Sequence, residues 1–183
     1  MNENQNSICE FATFGGGCFW CIEAVFRQIK GVVETVVGYS GGSVVEPTYE
    51  QVCTGATGHA EVCQIKFDPK FITYNDLLEI FFLSHDPTSL NRQGADVGTQ
   101  YRSVIFYHNE LQKKQALDYI HKLEKENNYK NTIVTEVLPL INFYRAETYH
   151  QNYFEKNPES AYCIFTVLPK VEKIRKFFIS KLK

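Results

Sequence analysis

Apolar positions along the chain follow two different periods, one typical of strands and one typical of helices. β-Branched and aromatic residues fill short runs that predict strands at 11–14, 32–39, 60–67 and 101–107. Apolar residues at helical spacing predict helices at 21–29, 73–84 and 110–127. The first six elements have the order strand, helix, strand, strand, helix, strand. This order predicts an α+β fold, a ferredoxin-like βαββαβ sandwich whose antiparallel sheet carries helices on one face.

The last third of the chain predicts a C-terminal extension of that core. Its pattern indicates a strand at 133–138 and helices at 146–155 and 171–182. A length of 183 residues is typical of one domain with one hydrophobic core, and no repeat or linker divides the sequence. We therefore expect residues 1–183 to form a single domain.

The strand at 60–67 alternates with period two and carries a carboxylate on its apolar face. Glu61 shares that face with Cys63, Ile65 and Phe67, while Val62 begins the opposite face. Carboxylates are rarely placed on the buried side of a strand without a function. Burial against apolar surface would raise the pKa of Glu61 and let it hold a proton at neutral pH.

Glycines at 15–17 precede Cys18 where the first strand meets the first helix. Such a turn presents free backbone N–H groups and the positive end of the helix dipole, which stabilise an anion. We expect this environment to depress the pKa of Cys18 and make it a thiolate nucleophile. A buried structural cysteine in a glycine-rich turn is the alternative.

The charge and the apolar runs of the sequence exclude some classes of function. The net charge is −2, and basic residues cluster only in the C-terminal 170–183, so the sequence does not indicate a nucleic-acid partner. Residues 1–7 lack the basic head and apolar run of a signal peptide, and no apolar run is long enough to span a bilayer. We expect a cytoplasmic protein whose six cysteines are reduced, with Cys53 and Cys63 as small buried apolar residues.

Three further motifs accompany the cysteine turn: Gly-His-Ala-Glu at 58–61, the glycine-containing stretch 93–103, and 149–153. Together and in this order, they resemble the A-class peptide methionine sulfoxide reductases from Phe14 to about Lys170. The resemblance implies a nucleophilic Cys18 and an acid at Glu61. It also implies an aromatic substrate pocket from Phe19 and Trp20. Asp96 and two further catalytic residues, Tyr49 and Tyr101, complete the side of the pocket that binds the sulfoxide oxygen.

The resemblance further implies the reaction and its participants. The family has the ferredoxin-like core predicted above and reduces the S epimer of methionine sulfoxide through a cysteine sulfenic acid and an intramolecular disulfide. The resemblance implies oxidised proteins as substrates and thioredoxin as reductant. It leaves open whether free methionine sulfoxide is also a substrate. We expect a monomer that uses no cofactor and no metal.

Two cysteines are candidates to resolve the sulfenic acid. Cys163 matches a recycling position of many relatives, and Cys21 forms a C-x-x-C arrangement with Cys18. Many members have glycine at position 21 and a glycine-rich tail with a further cysteine, and this chain has neither. We expect Cys163 to be the primary resolving thiol, with Cys21 as its alternative or as the next thiol in a relay.

Two other functions compete with the reductase hypothesis. A thioredoxin-type disulfide oxidoreductase would use Cys18 and Cys21, but it predicts no role for Glu61. A structural zinc module would use those two cysteines with His59 and Cys63. The last two residues are four apart in an extended strand, which is too far for one tetrahedral ion.

Overall fold

The computed structural model describes residues 8–183, so residues 1–7, where the sequence predicts no signal peptide, lie outside the described part. The strands are β1 Glu10–Gly15, β2 Val32–Ser40, β3 Ala60–Phe67, β4 Arg92–Gln93, β5 Asp96–Val97, β6 Val104–Tyr107, β7 Glu136–Pro139 and β8 Tyr144–Arg145. The helices are α1 Phe19–Arg27, α2 Tyr49–Cys53, α3 Tyr74–Ser84, α4 Glu110–Lys125, α5 Tyr153–Lys156 and α6 Leu168–Phe177.

The main sheet has the strand order β7-β6-β1-β3-β2-β8. Within its four central strands, β6-β1-β3-β2, every adjacent pair is antiparallel, which confirms the ferredoxin-like α+β core. The expectation of a wholly antiparallel sheet is wrong at one edge, where β7 runs parallel to β6. The physical reason is the long crossover through α4, because parallel neighbours require a connection of this kind.

Successive residues of β3 point to opposite faces of the sheet, so they belong to two separate apolar clusters. Cys63, Ile65 and Phe67 are fully buried with the helices, and Glu61 on the same face is 1% exposed. Val62 instead packs with residues of β6 in a small cluster on the other face. The predicted placement of Glu61 on the helix-covered apolar face is therefore confirmed.

Helix boundaries depend on caps and on local backbone geometry. The side chain of Thr73 accepts a hydrogen bond from the Asp76 N–H in a capping box, so α3 begins where the sequence predicts. The predicted helix at 146–155 is instead a 3₁₀ turn, Thr148–His150, followed by α5. Asn152 lies between them with φ +57°, a left-handed conformation that interrupts a right-handed helix.

Two further predicted boundaries differ from the structure. The predicted strand at 101–107 begins later, at β6, because Thr99–Tyr101 forms a 3₁₀ turn. The predicted final helix begins earlier, since a π-helical turn, Cys163–Val167, runs directly into α6. π-Helical turns are rare and are frequently found at functional sites.

None of the helices within residues 8–183 has both the length and the apolar character needed to cross a bilayer.

Candidate active site

A left-handed glycine ties the cysteine turn to a second loop. Gly17 has φ +93°, and its N–H donates to the carbonyl oxygen of Tyr101 at 3.1 Å. A Cβ at this position would lie 2.7 Å from the side chain of Gln93, so both the conformation and the close approach require glycine. The turn places Cys18 at the N-cap of α1 and holds the loop that carries Tyr101 beside it.

Cys18 is 7% exposed. Burial raises the pKa of its thiol well above the usual value, and the nearby groups Glu61 and Cys21 raise it further. Contacts with the Tyr162 hydroxyl and the backbone N–H of Trp20 lower the pKa but do not offset burial. The predicted depression of the Cys18 pKa is therefore wrong, because desolvation outweighs the effect of the helix N-terminus.

Glu61 lies against the first turn of α1. Its Oε2 accepts the backbone N–H of Phe19 at 3.0 Å. Burial raises the pKa of the carboxyl to about 8, the Phe19 N–H opposes this, and the charge of Asp96 adds to it. Most of the Glu61 side chains therefore carry a proton at pH 7, as their place on the apolar face of β3 predicts.

Tyr49, the first residue of α2, and Tyr101, in the 3₁₀ turn Thr99–Tyr101, both interact electrostatically with this carboxyl. Burial raises the pKa of both phenols, and the charge of Glu61 contributes to each shift. Tyr101 also interacts electrostatically with Cys18. Both tyrosines therefore stay neutral at physiological pH and can donate a hydrogen bond from the hydroxyl.

Phe19 and Trp20 form an aromatic wall at the start of α1. Phe19 is 1% exposed, and its ring centroid lies 5.0 Å from that of His150. Trp20 is half-buried and stacks on Tyr153 at a centroid distance of 3.5 Å and an interplanar angle of 5°. Its Nε1–H donates to Nδ1 of His150 at 3.1 Å. The wall is thus held in place by a hydrogen bond and by stacking.

Asp96 is linked to the site by Tyr162, which the sequence did not identify as a site residue. The Tyr162 hydroxyl donates to Oδ2 of Asp96 at 2.7 Å and lies 4.0 Å from Sγ of Cys21. It also contacts Cys18, and its ring meets Trp20 edge-on at 5.6 Å. The one available sequence signal for Tyr162 was its position next to Cys163.

The two candidate resolving thiols have different surroundings. Cys21 is fully buried one helical turn from Cys18, and the two thiols interact electrostatically. Cys163 is fully buried too, and it begins the π-helical turn Cys163–Val167. Its backbone N–H donates to Oγ of Ser160 at 3.3 Å. Cys21 thus belongs to the immediate environment of Cys18, whereas Cys163 belongs to the C-terminal segment.

His59 and Cys63 lie outside this constellation, whereas the Cys53 thiol interacts with the Tyr49 hydroxyl. Cys63 is buried as predicted, but Cys53 is exposed, because α2 is a single surface turn that buries only Val52. Nδ1 of His59 accepts the Gly42 N–H at 3.0 Å, and Nε2 donates to the Val44 carbonyl oxygen at 2.8 Å. These bonds occupy both ring nitrogens. Across residues 8–183, no group of three His, Cys, Asp or Glu side chains could hold a metal ion.

Three comparisons place the chain among known proteins. The family model described as peptide methionine sulfoxide reductase matches residues 10–182. Peptide methionine sulfoxide reductase MsrA of Nautilia profundicola is 60% identical over 165 residues, which cover 90% of this chain and 94% of that protein.

Two solved structures of one yeast protein are also similar. The structure of Mxr1 from Saccharomyces cerevisiae in reduced form has a TM-score of 0.78 and 37% identity, covering 87% of this chain and 91% of that one. Mxr1 in complex with Trx2 has a TM-score of 0.55 and 26% identity, covering 84% and 90%. The match to the family model over nearly the whole chain, with these similarities, shows that the chain belongs to the peptide methionine sulfoxide reductase family.

Proposed function

We propose that this chain reduces methionine S-sulfoxide to methionine, with Cys18 as nucleophile and Glu61 as proton donor. Membership of the family makes it an oxidoreductase that acts on methionine sulfoxide. One observation carries the assignment of roles: a carboxyl group with a pKa of about 8 lies directly against the helix turn that begins at Cys18. A sulfoxide sulfur becomes a good electrophile only when its oxygen receives a proton, so the reaction needs an acid of this kind.

In the first half-reaction, Sγ of Cys18 attacks the sulfoxide sulfur. Glu61 gives its proton to the oxygen, and the proton of the Cys18 thiol replaces it on Glu61. This attack forms a sulfur–sulfur bond, which then breaks together with the sulfur–oxygen bond of the substrate as the hydroxyl group passes to Sγ and a sulfur–oxygen bond to Cys18 forms. Methionine leaves reduced, and Cys18 is left as a sulfenic acid.

The tyrosines and the aromatic wall position the substrate for this step. Tyr49 and Tyr101 lie on the Glu61 side, where neutral hydroxyls can donate to the sulfoxide oxygen. Phe19 and Trp20 offer apolar surface to the S-methyl group. Donors on one side of the sulfur and apolar surface on the other make a chiral pocket, which supports preference for one epimer.

A resolving thiol then converts the sulfenic acid into an intramolecular disulfide, and thioredoxin reduces that disulfide. Cys163 and Cys21 are the candidates in this chain. The structure of Mxr1 in complex with Trx2 supports a thioredoxin partner. We further propose that residues 1–183 act as a single domain, as a monomer in the cytoplasm, on oxidised proteins.

One turnover without reductant tests the proposed function. The fully reduced protein receives one equivalent of the S or the R epimer of N-acetylmethionine sulfoxide, and the intact protein is weighed. We expect the S epimer to yield one methionine per protein and a protein lighter by two hydrogen atoms, as disulfide formation requires. An unconsumed S epimer with an unchanged protein mass would exclude the reductase. It would leave the Cys18–Cys21 disulfide oxidoreductase as the remaining hypothesis.

Removing the indole should weaken substrate binding more than the chemical step. Trp20→Ala takes away one aromatic contact, so KM should rise about 5- to 150-fold, which corresponds to roughly 1–3 kcal/mol. Trp20→Phe retains apolar surface but lacks the N–H that bonds His150, so its KM should rise less. Steady-state kinetics with the S epimer measure both effects. Unchanged KM in Trp20→Ala would show that the wall does not bind substrate.

A further inference from the structure

Glu147 lies just before the 3₁₀ turn Thr148–His150, and its side chain reaches two residues from distant parts of the chain. Its Oε1 accepts the backbone N–H of Tyr49 at 2.8 Å, and its Oε2 accepts the hydroxyl of Tyr39 at 2.7 Å. Tyr49 is 98 positions away along the sequence, and Tyr39 is 108 positions away. The carboxylate of Glu147 therefore joins β2, α2 and the C-terminal third of the chain.

The bond between Glu147 and Tyr49 is separate from the bonds that begin α2. Thr48 already caps this helix, because its side chain accepts the Gln51 N–H and the Gln51 side chain accepts the Thr48 N–H. Tyr49 is the first helical residue, so its N–H has no acceptor within the helix. The carboxylate of Glu147 supplies that acceptor from another part of the fold. It therefore acts on the position of Tyr49, while the capping box begins the helix.

The turn that follows Glu147 also contacts the ring of Tyr49. The ring centroids of Tyr49 and His150 are 4.6 Å apart. The His150 ring is itself held by the hydrogen bond that its Nδ1 accepts from the indole of Trp20. The backbone N–H of His150 donates to the carbonyl oxygen of Glu147 at 3.0 Å, so the two residues belong to one turn. Tyr49 is thus held at its backbone by Glu147 and at its ring by His150.

A buried ring nitrogen is the second reason for a carboxylate at position 147. Since Nδ1 of His150 accepts a hydrogen bond, the proton of the neutral ring is on Nε2. Nε2 is buried and has no hydrogen-bond partner among residues 8–183, and a buried donor of this kind is costly. It lies 3.8 Å from Oε2 of Glu147. Burial acts to raise the pKa of Glu147, but the hydrogen bonds that it accepts lower the pKa below its usual value, so a negative charge faces this N–H.

We propose that Glu147 is a positioning residue that holds the hydroxyl of Tyr49 where it can donate to the sulfoxide oxygen. This inference rests on the proposed function, in which Tyr49 is one of the donors to that oxygen. Donors that stabilise a developing charge are effective when the fold holds them in place before the reaction begins. A displacement of about 1 Å can cost roughly a hundredfold in rate. Glu147 acts on the reaction through Tyr49.

The side chain of Glu147 can be replaced without losing the bonds that fix its segment. It is 33% exposed. On one side, the Ala146 N–H donates to the carbonyl oxygen of Val37 at 3.0 Å. On the other side, the Gln151 side chain bonds the N–H and the carbonyl oxygen of Val37 at 3.0 and 2.9 Å. Because these bonds do not involve the carboxylate, we expect variants at Glu147 to fold.

A double-mutant cycle with Tyr49→Phe tests the proposal. The readout is the single-turnover rate of methionine release at saturating S epimer of N-acetylmethionine sulfoxide. In the wild-type background, Glu147→Ala should slow release roughly 10- to 100-fold. Glu147→Gln should slow it less, because its amide oxygen can still accept the Tyr49 N–H. In the Tyr49→Phe background, Glu147→Ala should slow release less than about threefold, since the hydroxyl that Glu147 positions is already absent.

Glu50→Gln is the matched control. It removes an exposed carboxylate from the residue next to Tyr49, and it should release methionine at the wild-type rate. Circular dichroism checks that each variant is folded. If Glu147→Ala did not fold, Glu147→Gln would be compared in the two backgrounds in the same way.

Three results would overturn the proposal. One is the same slowing by the Glu147 variants in the wild-type and Tyr49→Phe backgrounds, which a purely structural role of Glu147 predicts. Another is a wild-type rate in Glu147→Ala. The third is a rate in Glu50→Gln as low as that of Glu147→Ala, which would show a general effect of charge. Absence of methionine release by the wild-type protein would instead contradict the proposed function itself.

Discussion

Cys18→Ser is expected to abolish reduction of methionine sulfoxide while leaving the fold intact. The serine hydroxyl is nearly isosteric with the thiol, so the N-cap of α1 and its surroundings keep their packing. The hydroxyl is far too weak a nucleophile for the sulfoxide sulfur, and turnover should fall below about 1% of wild type. Release of methionine measures activity, and thermal unfolding followed by circular dichroism measures the fold.

Cys9→Ser is the matched control for this variant. Cys9 is a partly exposed cysteine just before β1 and belongs to no part of the site. Its replacement by serine should leave both activity and unfolding temperature at wild-type values. If Cys18→Ser retained more than a few per cent of turnover, roughly the level that a second thiol could supply, the assignment of Cys18 would fail.

Glu61→Gln is expected to slow the chemical step about a hundredfold or more, the usual cost of losing a positioned acid. The amide can still hydrogen-bond the sulfoxide oxygen, but it cannot deliver a proton. In wild type, only the protonated carboxyl is active, so the single-turnover rate should fall as the pH rises through about 8. The rate of Glu61→Gln should lack this descending limb.

Glu23→Gln provides a control with similar burial and charge. Glu23 is 1% exposed on α1, and its carboxylate accepts hydrogen bonds from Thr35 at 3.3 Å and from the Asn152 N–H at 2.8 Å. Burial raises the pKa of Glu23 to about 7, so it titrates near neutrality without touching the proposed reacting groups. Glu23→Gln should keep the descending limb near pH 8. An unaltered rate of methionine release in Glu61→Gln would refute the role of Glu61 as acid.

The sequence predicted those parts of the site that depend on local pattern. The period-two strand placed Glu61 on the buried face, and the glycine turn placed Cys18 at a helix start. Both features follow from backbone geometry over a few residues. The ferredoxin-like core was predictable for the same reason, since six elements with clear periods have the order of that fold.

The remaining features depend on packing between distant segments. The pKa of Cys18 rises because the folded site excludes water. The residues next to Cys18 in the sequence do not indicate how much water the fold excludes. Tyr162 enters the site through a bond to a residue 66 positions away. The helix interruption at Asn152 and the parallel pairing of β7 with β6 likewise depend on contacts between the C-terminal third of the chain and the core. Tertiary contacts override local propensity at these places.

The burial of Glu61 has a consequence for folding that is separate from catalysis. A carboxyl whose pKa is about 8 in the native chain and 4.5 when exposed binds its proton more tightly in the folded state. Between those two pH values, the native protein therefore binds more protons than the unfolded chain, and the free energy of unfolding decreases as the pH rises. Glu23, with a native pKa of about 7, adds to the same trend. A buried acid beside the nucleophile therefore costs the fold stability as the pH rises from 4.5 to about 8.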